Sequence, residues 1–181
     1  MFTIQLGHPK INRIPKQEFG SVKDVFLSLF KSPEEAIYLY WNQIPIRFRY
    51  KEDLHWSFND MLALAWMLQK EKKGETKASF QNQLMRMELV CNWNDDDLTI
   101  KGSFKPFEFL YQPYGSALNQ SEILKLSKKA FLSEWKTLLH QVLVSLEASN
   151  CSIKDGLEHR RLELLRQTEN SIQDYGRLYT A

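Results

Sequence analysis

The stretch Met85-Arg86-Met87-Glu88-Leu89-Val90-Cys91-Asn92-Trp93-Asn94-Asp95-Asp96-Asp97-Leu98-Thr99-Ile100-Lys101-Gly102-Ser103-Phe104 decides the fold class. Met85, Met87, Leu89, Cys91 and Trp93 occupy alternate positions, while Arg86, Glu88 and Asn92 face the other way. A period of two marks a half-buried strand, because successive side chains leave opposite faces. Asn94-Asp95-Asp96-Asp97 is turn chemistry, since short acidic and amide side chains satisfy a turn's own backbone groups. Leu98, Ile100, Gly102 and Phe104 then resume the alternation against Thr99, Lys101 and Ser103. Two alternating runs about a polar turn predict a β-hairpin.

Upstream, Phe2, Ile4 and Leu6 alternate as a short strand, and a polar, Pro-containing stretch runs to about Gly20. Ser21 with Asp24 is a capping pattern for a helix carrying Val22, Val25, Phe26, Leu29 and Phe30, ended by Ser32-Pro33. Ile37 to Trp41 is a β-rich run. Ile44, Ile46, Phe48 and Tyr50 alternate with Pro45, Arg47 and Arg49, a half-buried strand with a basic outer face. Ser57 with Asp60 predicts the cap of a second helix, with Phe58, Met61, Leu62, Ala65, Trp66 and Gln69 along one side; Lys70 to Glu75 closes it.

Downstream of the hairpin, Phe107, Phe109 and Tyr111 are expected to continue the sheet, and Pro113-Tyr114-Gly115-Ser116 to form a loop. Ile123 to Leu126 is a short strand. Ser127 caps the longest helix, with Phe131, Trp135, Leu138, Leu139, Val142 and Leu146 on one face. A linker at Ser149 to Ser152 leads into a charged helical tail, about 154–181, whose Leu157, Leu164, Leu165 and Ile172 favour docking on the rest. Strand runs followed by helices, with no Gly-rich strand-to-helix turn, give an α+β fold: an antiparallel sheet with helices packed on it and a long helix near the C-terminus. The 181 residues fit one domain spanning 1–181.

Composition bounds the function. Hydrophobic residues make up 43% and aromatic residues 13%, so a well-filled core is expected without metal or disulfide staples. Lys+Arg 24 against Asp+Glu 22 leaves +2, too balanced to argue for nucleic acid on charge alone. There is no basic start followed by an apolar run and no stretch of about 18 apolar residues. The expectation is a soluble cytoplasmic protein with reduced thiols and no membrane span.

Catalytic patterns are weak throughout. His8, His55, His140 and His159 are scattered, and no two share the helical spacing of a metal pair. Asp95-Asp96-Asp97 lacks the alternation and central Gly of a calcium loop, so it is a turn or an acidic knob that a basic partner could grip. Cys91 falls on an apolar strand face and Cys151 in a linker with no flanking His. Glu34-Glu35 and Glu52-Asp53 read as solvated element ends rather than acid/base pairs. Arg47 and Arg49 beside Tyr38, Tyr40 and Tyr50 could stack single-stranded bases, but no ribonucleoprotein motif accompanies them. No catalytic residue, metal ligand or cofactor is expected. Trp66, Trp93 and Trp135 lie on apolar faces and read as core. Trp41 and Trp56 sit at element edges, where tryptophan signals an interface.

Three segments carry a family likeness. They are Ile44-Pro45-Ile46-Arg47-Phe48-Arg49-Tyr50 leading into Trp56-Ser57-Phe58-Asn59-Asp60-Met61-Leu62; Glu88 to Trp93 with the Asp95 to Ile100 hairpin; and Ser127 to Lys136 with the terminal Gly176-Arg177-Leu178-Tyr179. In this order they resemble the small bacterial immunity proteins that neutralise polymorphic toxins, including those of contact-dependent growth inhibition. The resemblance implies a non-enzymatic inhibitor that binds one cognate toxin domain in the cytoplasm. Immunity proteins to basic nuclease toxins are often acidic and this chain is slightly basic, so the acidic contact falls to Asp95, Asp96 and Asp97, or else the toxin is itself acidic or not a nuclease. Trp41, Trp56, Asp95, Asp96 and Asp97 are the partner-binding candidates. The alternatives are a small enzyme or ligand-binding domain with a pocket between sheet and helices, and a structural or regulatory subunit of a larger assembly.

Overall fold

A computed structural model describes residues 1–14, 18–149, 152–153 and 157–172. In chain order the elements are β1 (Phe2–Gln5), β2 (Glu18–Phe19), α1 (Val22–Leu29), β3 (Ala36–Trp41), β4 (Ile44–Arg49), α2 (Leu54–Lys70), β5 (Lys73–Gln81), β6 (Met85–Asn94) and β7 (Asp97–Pro106). A 3-10 turn (Phe109–Tyr111), α3 (Gln112–Gln120), β8 (Ile123–Ser127), α4 (Lys128–Ala148), β9 (Ser152–Ile153) and α5 (Leu157–Ser171) follow. Cys151 and Gly176-Arg177-Leu178-Tyr179 lie outside the described residues.

The hairpin forms as its alternation predicts. β6 and β7 pair antiparallel from Met85↔Pro106 to Asn94↔Asp97. Asp95 turns the corner at φ 51°, a left-handed conformation that a short Asp side chain tolerates. β5 and β8 flank the hairpin in the order β5-β6-β7-β8, and a second antiparallel sheet has the order β1-β3-β4. β2 and β9 form a short parallel pair. The fold is α+β, with helices packed on antiparallel sheets.

Period two sends one side of each sheet into a shared core. Trp41 of β3 meets Phe104 of β7 edge to face, with ring centroids 5.1 Å apart. Phe80 of β5 meets Trp135 of α4 at 5.7 Å, and Phe2 of β1 meets Phe131 at 4.8 Å. The space left between Phe2, Trp41, Phe80, Phe104 and Trp135 is only ≈ 10 Å³, as close-packed interiors require. The described part of the charged tail, 157–172, docks as its apolar spacing suggests: Leu165 and Ile172 are buried, and Lys136 donates to the Ile172 carbonyl at 2.8 Å.

Side chains close the sheet rims. The Ile4 N–H of β1 donates to Glu134 of α4 at 2.7 Å. On β4, the Arg47 carbonyl accepts from Asn82 at 2.8 Å and the Pro45 carbonyl from the Tyr114 hydroxyl. On β7, beyond the reach of β8, the Asn119 carboxamide takes the Phe104 N–H at 2.9 Å and donates to its carbonyl at 2.8 Å.

The rim of β5 corrects one expectation. Ser57 and Asp60 do not cap α2, which begins at Leu54 with Asp53 in the cap position. Ser57 exchanges two hydrogen bonds with the Gln81 backbone, at 2.8 and 3.2 Å, and Asp60 accepts the Ser79 N–H at 2.7 Å. A helix-start pattern was thus a strand-edge pattern, because both need short side chains that accept from a backbone N–H.

Four further expectations are corrected. Lys70 to Glu75 does not merely close a helix: β5 starts at Lys73. Its first core-facing positions are Gly74 and Thr76, so the alternation is silent there. A Cβ at Gly74 would overlap the Trp93 ring. Phe109 and Tyr111 belong to the 3-10 turn rather than a strand, and Pro113 to Ser116 lie within α3, with proline in the first turn where its missing N–H costs nothing. Trp66 is exposed on α2, not core.

The Ser21 cap of α1 is present, with its hydroxyl accepting the Asp24 N–H at 3.1 Å. The start of α4 is tied to the hairpin turn. The Asp96 carboxylate accepts from Ser127 Oγ at 2.8 Å and from the Lys129 N–H at 3.1 Å, while Ser127 Oγ accepts from the Ala130 N–H. Asp96→Ala is expected to cost about 1–2 kcal/mol in urea unfolding, the usual loss for a cap. Asp95→Gly, which relieves a left-handed φ, stays within about 0.5 kcal/mol of wild type.

Candidate interaction surface

The two most exposed large apolar side chains among the described residues, with a third beside them, lie where β7 runs out. Phe107 is 52% exposed, Phe109 89% and Leu110 75%. The ladder's last bond is Phe107 N–H to the Leu84 carbonyl, at 2.9 Å. Pro106 then abuts Gly115, and Leu118 is buried. The turn is therefore held at both ends, by β7 and by α3, while its apolar side chains face water. Burying such a side chain is worth about 1.5–3 kcal/mol, so a contiguous exposed group is a standing gain for any partner with a matching hollow. Rigid support also means little freedom is lost on docking.

A second aromatic group lies at the same sheet end. Trp56, 59% exposed, follows His55 and precedes Ser57, the residue bonded to Gln81. The His55 and Trp56 rings stack at 4.8 Å, and Lys23 of α1 stands 5.5 Å over the Trp56 ring. Trp56, Asn59, Ala63 and Trp66 continue along the exposed side of α2 at helical spacing. Burial first, and the Lys23 charge second, push the His55 imidazole below its ordinary pKa; Asp53 opposes them.

The five candidates taken from sequence do not converge. Trp41 is only 3% exposed, packs on Phe104 and donates its indole N–H to the Ser121 carbonyl at 2.7 Å. It is an inter-sheet core residue, not a contact. Trp56 is exposed, as expected of an interface tryptophan. Asp95, Asp96 and Asp97 lie at the opposite end of the hairpin, about 30 Å away for strands of this length. Asp95 and Asp97 are exposed, but Asp96 is spent on the start of α4.

The other constellations resolve into structure. Tyr50 is fully buried, and burial raises its pKa, so it is no stacking platform. Arg47 pairs with Glu34 at 2.9 Å and Arg49 with Glu52 at 2.7 Å. Asp53 is not a solvated end: it is buried and accepts the Arg49 N–H at 2.8 Å. Among the described residues no cluster of three metal-ligating side chains exists. None of their helices is long and apolar enough to cross a membrane.

A cleft of ≈ 460 Å³ opens between the ends of α2 and α5 and the start of α4, with Lys72, Asp95, Asp96 and Lys128 around a floor of Leu68 and Leu132. The first N–H groups of α4 already bond Asp96 and Ser127, so the helix start offers an incoming anion nothing.

Sequence reasoning missed the Phe107–Leu110 turn. The available signal was Phe109-Leu110-Tyr111, which abandons alternation two residues before Pro113.

Two outcomes are expected here. The His55 Hε1 resonance titrates below a free histidine, and Lys23→Gln moves its midpoint upward; a midpoint equal to that of free histidine contradicts the geometry. In a Cys151→Ser chain, Cys91, whose thiol burial pushes up to about 12, stays unmodified by an aromatic disulfide reagent at pH 8 until denaturant is added. Compared with known proteins, the chain matches no family model, no curated protein and no solved structure.

Proposed function

We propose that this chain is a non-enzymatic binding protein that neutralises a cognate bacterial toxin domain in the cytoplasm of the cell that makes it. The observation that carries the binding role is the Phe107, Phe109 and Leu110 group, exposed on a turn anchored at both ends. Exposed aromatic and aliphatic anchors on a preorganised scaffold are the usual source of affinity in standard-sized interfaces. The toxin identity of the partner rests on the resemblance of the three sequence segments to immunity proteins. Trp56 lies at the same sheet end and extends the contact; Asp95 and Asp97 lie at the opposite end of the hairpin.

A second reading, a small-ligand domain, draws on the cleft edged by Lys72 and Lys128. The two readings separate on the same variants, because the anchors and the cleft lie at opposite ends of the hairpin.

The test begins with the DNA immediately upstream of this gene, where a large secreted-protein reading frame ending in a short variable domain is expected; that domain is the titrant. Titration calorimetry is expected to give tight one-to-one binding. Phe109→Ala/Leu110→Ala weakens it by at least about 2 kcal/mol while unfolding stability stays within about 0.5 kcal/mol. Absence of binding by the wild-type chain would refute the toxin assignment, and unchanged affinity in the double variant would refute the anchor.

A further inference from the structure

Period two gives the β5–β8 sheet a second side, and that side is open. Its outward positions include Lys73, Lys77, Arg86, Lys101, Lys105 and Lys125 against Glu75, Glu88 and Asp97. None of the outward positions is buried. Six cations less three acids leave +3, whereas the whole chain carries +2, so the rest of the chain is net −1 (2 − 3) and the positive excess sits on this face.

Its charges are poorly compensated within the fold. Glu88 serves both Arg86, at 3.7 Å, and Lys105, at 3.2 Å. Lys101 turns to Glu122 at the sheet margin, at 3.2 Å. Among the described residues Lys73, Lys77 and Lys125 have no acid within ion-pair reach. Arg86 stands directly across from Lys105, a like-charge pairing that costs sheet stability. Across the middle runs a row of Lys77, Val90, Lys101 and Ile123, alternating cation and alkyl side chain. Lys105 is two residues from Phe107, so the face is continuous with the exposed turn.

We propose that the outer face of the β5–β8 sheet docks an acidic protein surface, with Lys77, Lys101, Lys105 and Lys125 meeting carboxylates around Val90 and Ile123. This rests on the binding-protein reading above and specifies the partner's charge. Single-stranded nucleic acid fits less well, because no outward position within the four strands is aromatic: bases could stack only at Phe107 and Phe109, beyond one end of the cationic row. A second copy fits less well too, because two such faces bring like charges together.

The test uses the full chain, labelled for amide spectroscopy, with two probes and a dilution series. An oligoglutamate peptide is expected to shift the amides of Lys77, Val90, Lys101 and Lys125, and to lose affinity steeply as salt is raised. Lys77→Gln/Lys101→Gln/Lys125→Gln weakens it by about tenfold; single Lys101→Gln, at an exposed position, serves should the triple variant fold poorly. Shifts confined to the Lys72 and Lys128 cleft, tighter binding of oligothymidylate, or shifts on dilution that reveal self-association would each overturn the proposal. None of these outcomes touches the Phe109 anchor, so the binding-protein reading stands or falls on its own calorimetry.

Discussion

Backbone N–H and C=O groups at the rim of a sheet must find partners, and the seats of α2, α3 and α4 follow from how they do so. Glu134 ties α4 to β1, Asn119 ties α3 to β7, and Ser57 with Asp60 ties α2 to β5. Glu134 reaches a strand distant in sequence, whereas Asn119 and the Ser57–Asp60 pair bond the strand that neighbours their helix along the chain. Half of one rim is managed differently. Among the described residues, Lys73, Glu75 and Lys77 of β5 have no such bond, and their alternating charges discourage an intruding strand by repulsion and desolvation cost.

How much of this was legible depends on whether the signal was local. The β6–β7 hairpin, the Ser21 and Ser127 caps and the buried face of α4 were readable, since each is written in residues a few positions apart. β5 was not, because Gly74 leaves room for the Trp93 ring and so carries no apolar mark. The Ser57–Asp60 pattern was misread because a helix cap and a strand-edge bond demand the same side chains. Trp41 and Trp56 looked alike in sequence; a contact with Phe104, far along the chain, buries one and leaves the other in water.

The same distinction governs the functional reading. Apolar residues that serve the fold are packed on both sides, as Phe104 is by Trp41 within a core with almost no empty space. Phe109 and Leu110 have no such neighbours, yet the backbone beneath them is fixed by Pro106 and Asn119. Disorder would hide such side chains by collapse; a held turn keeps them out. Exposure maintained by rigidity is what separates a docking element from a loose end, and sequence alone does not distinguish the two.

Asp96 carries a consequence for the order in which the chain acquires structure. Its carboxylate closes the start of α4 across 31 residues of sequence, and Asp97 pairs with Ser127 directly behind it. The helix therefore lacks its anionic cap until the hairpin has turned and β8 has come alongside. Loop closure of that length costs entropy before it is repaid. The hairpin is a local element that forms first at little cost, and the first turn of α4 is a late clasp that locks the two halves of the chain together.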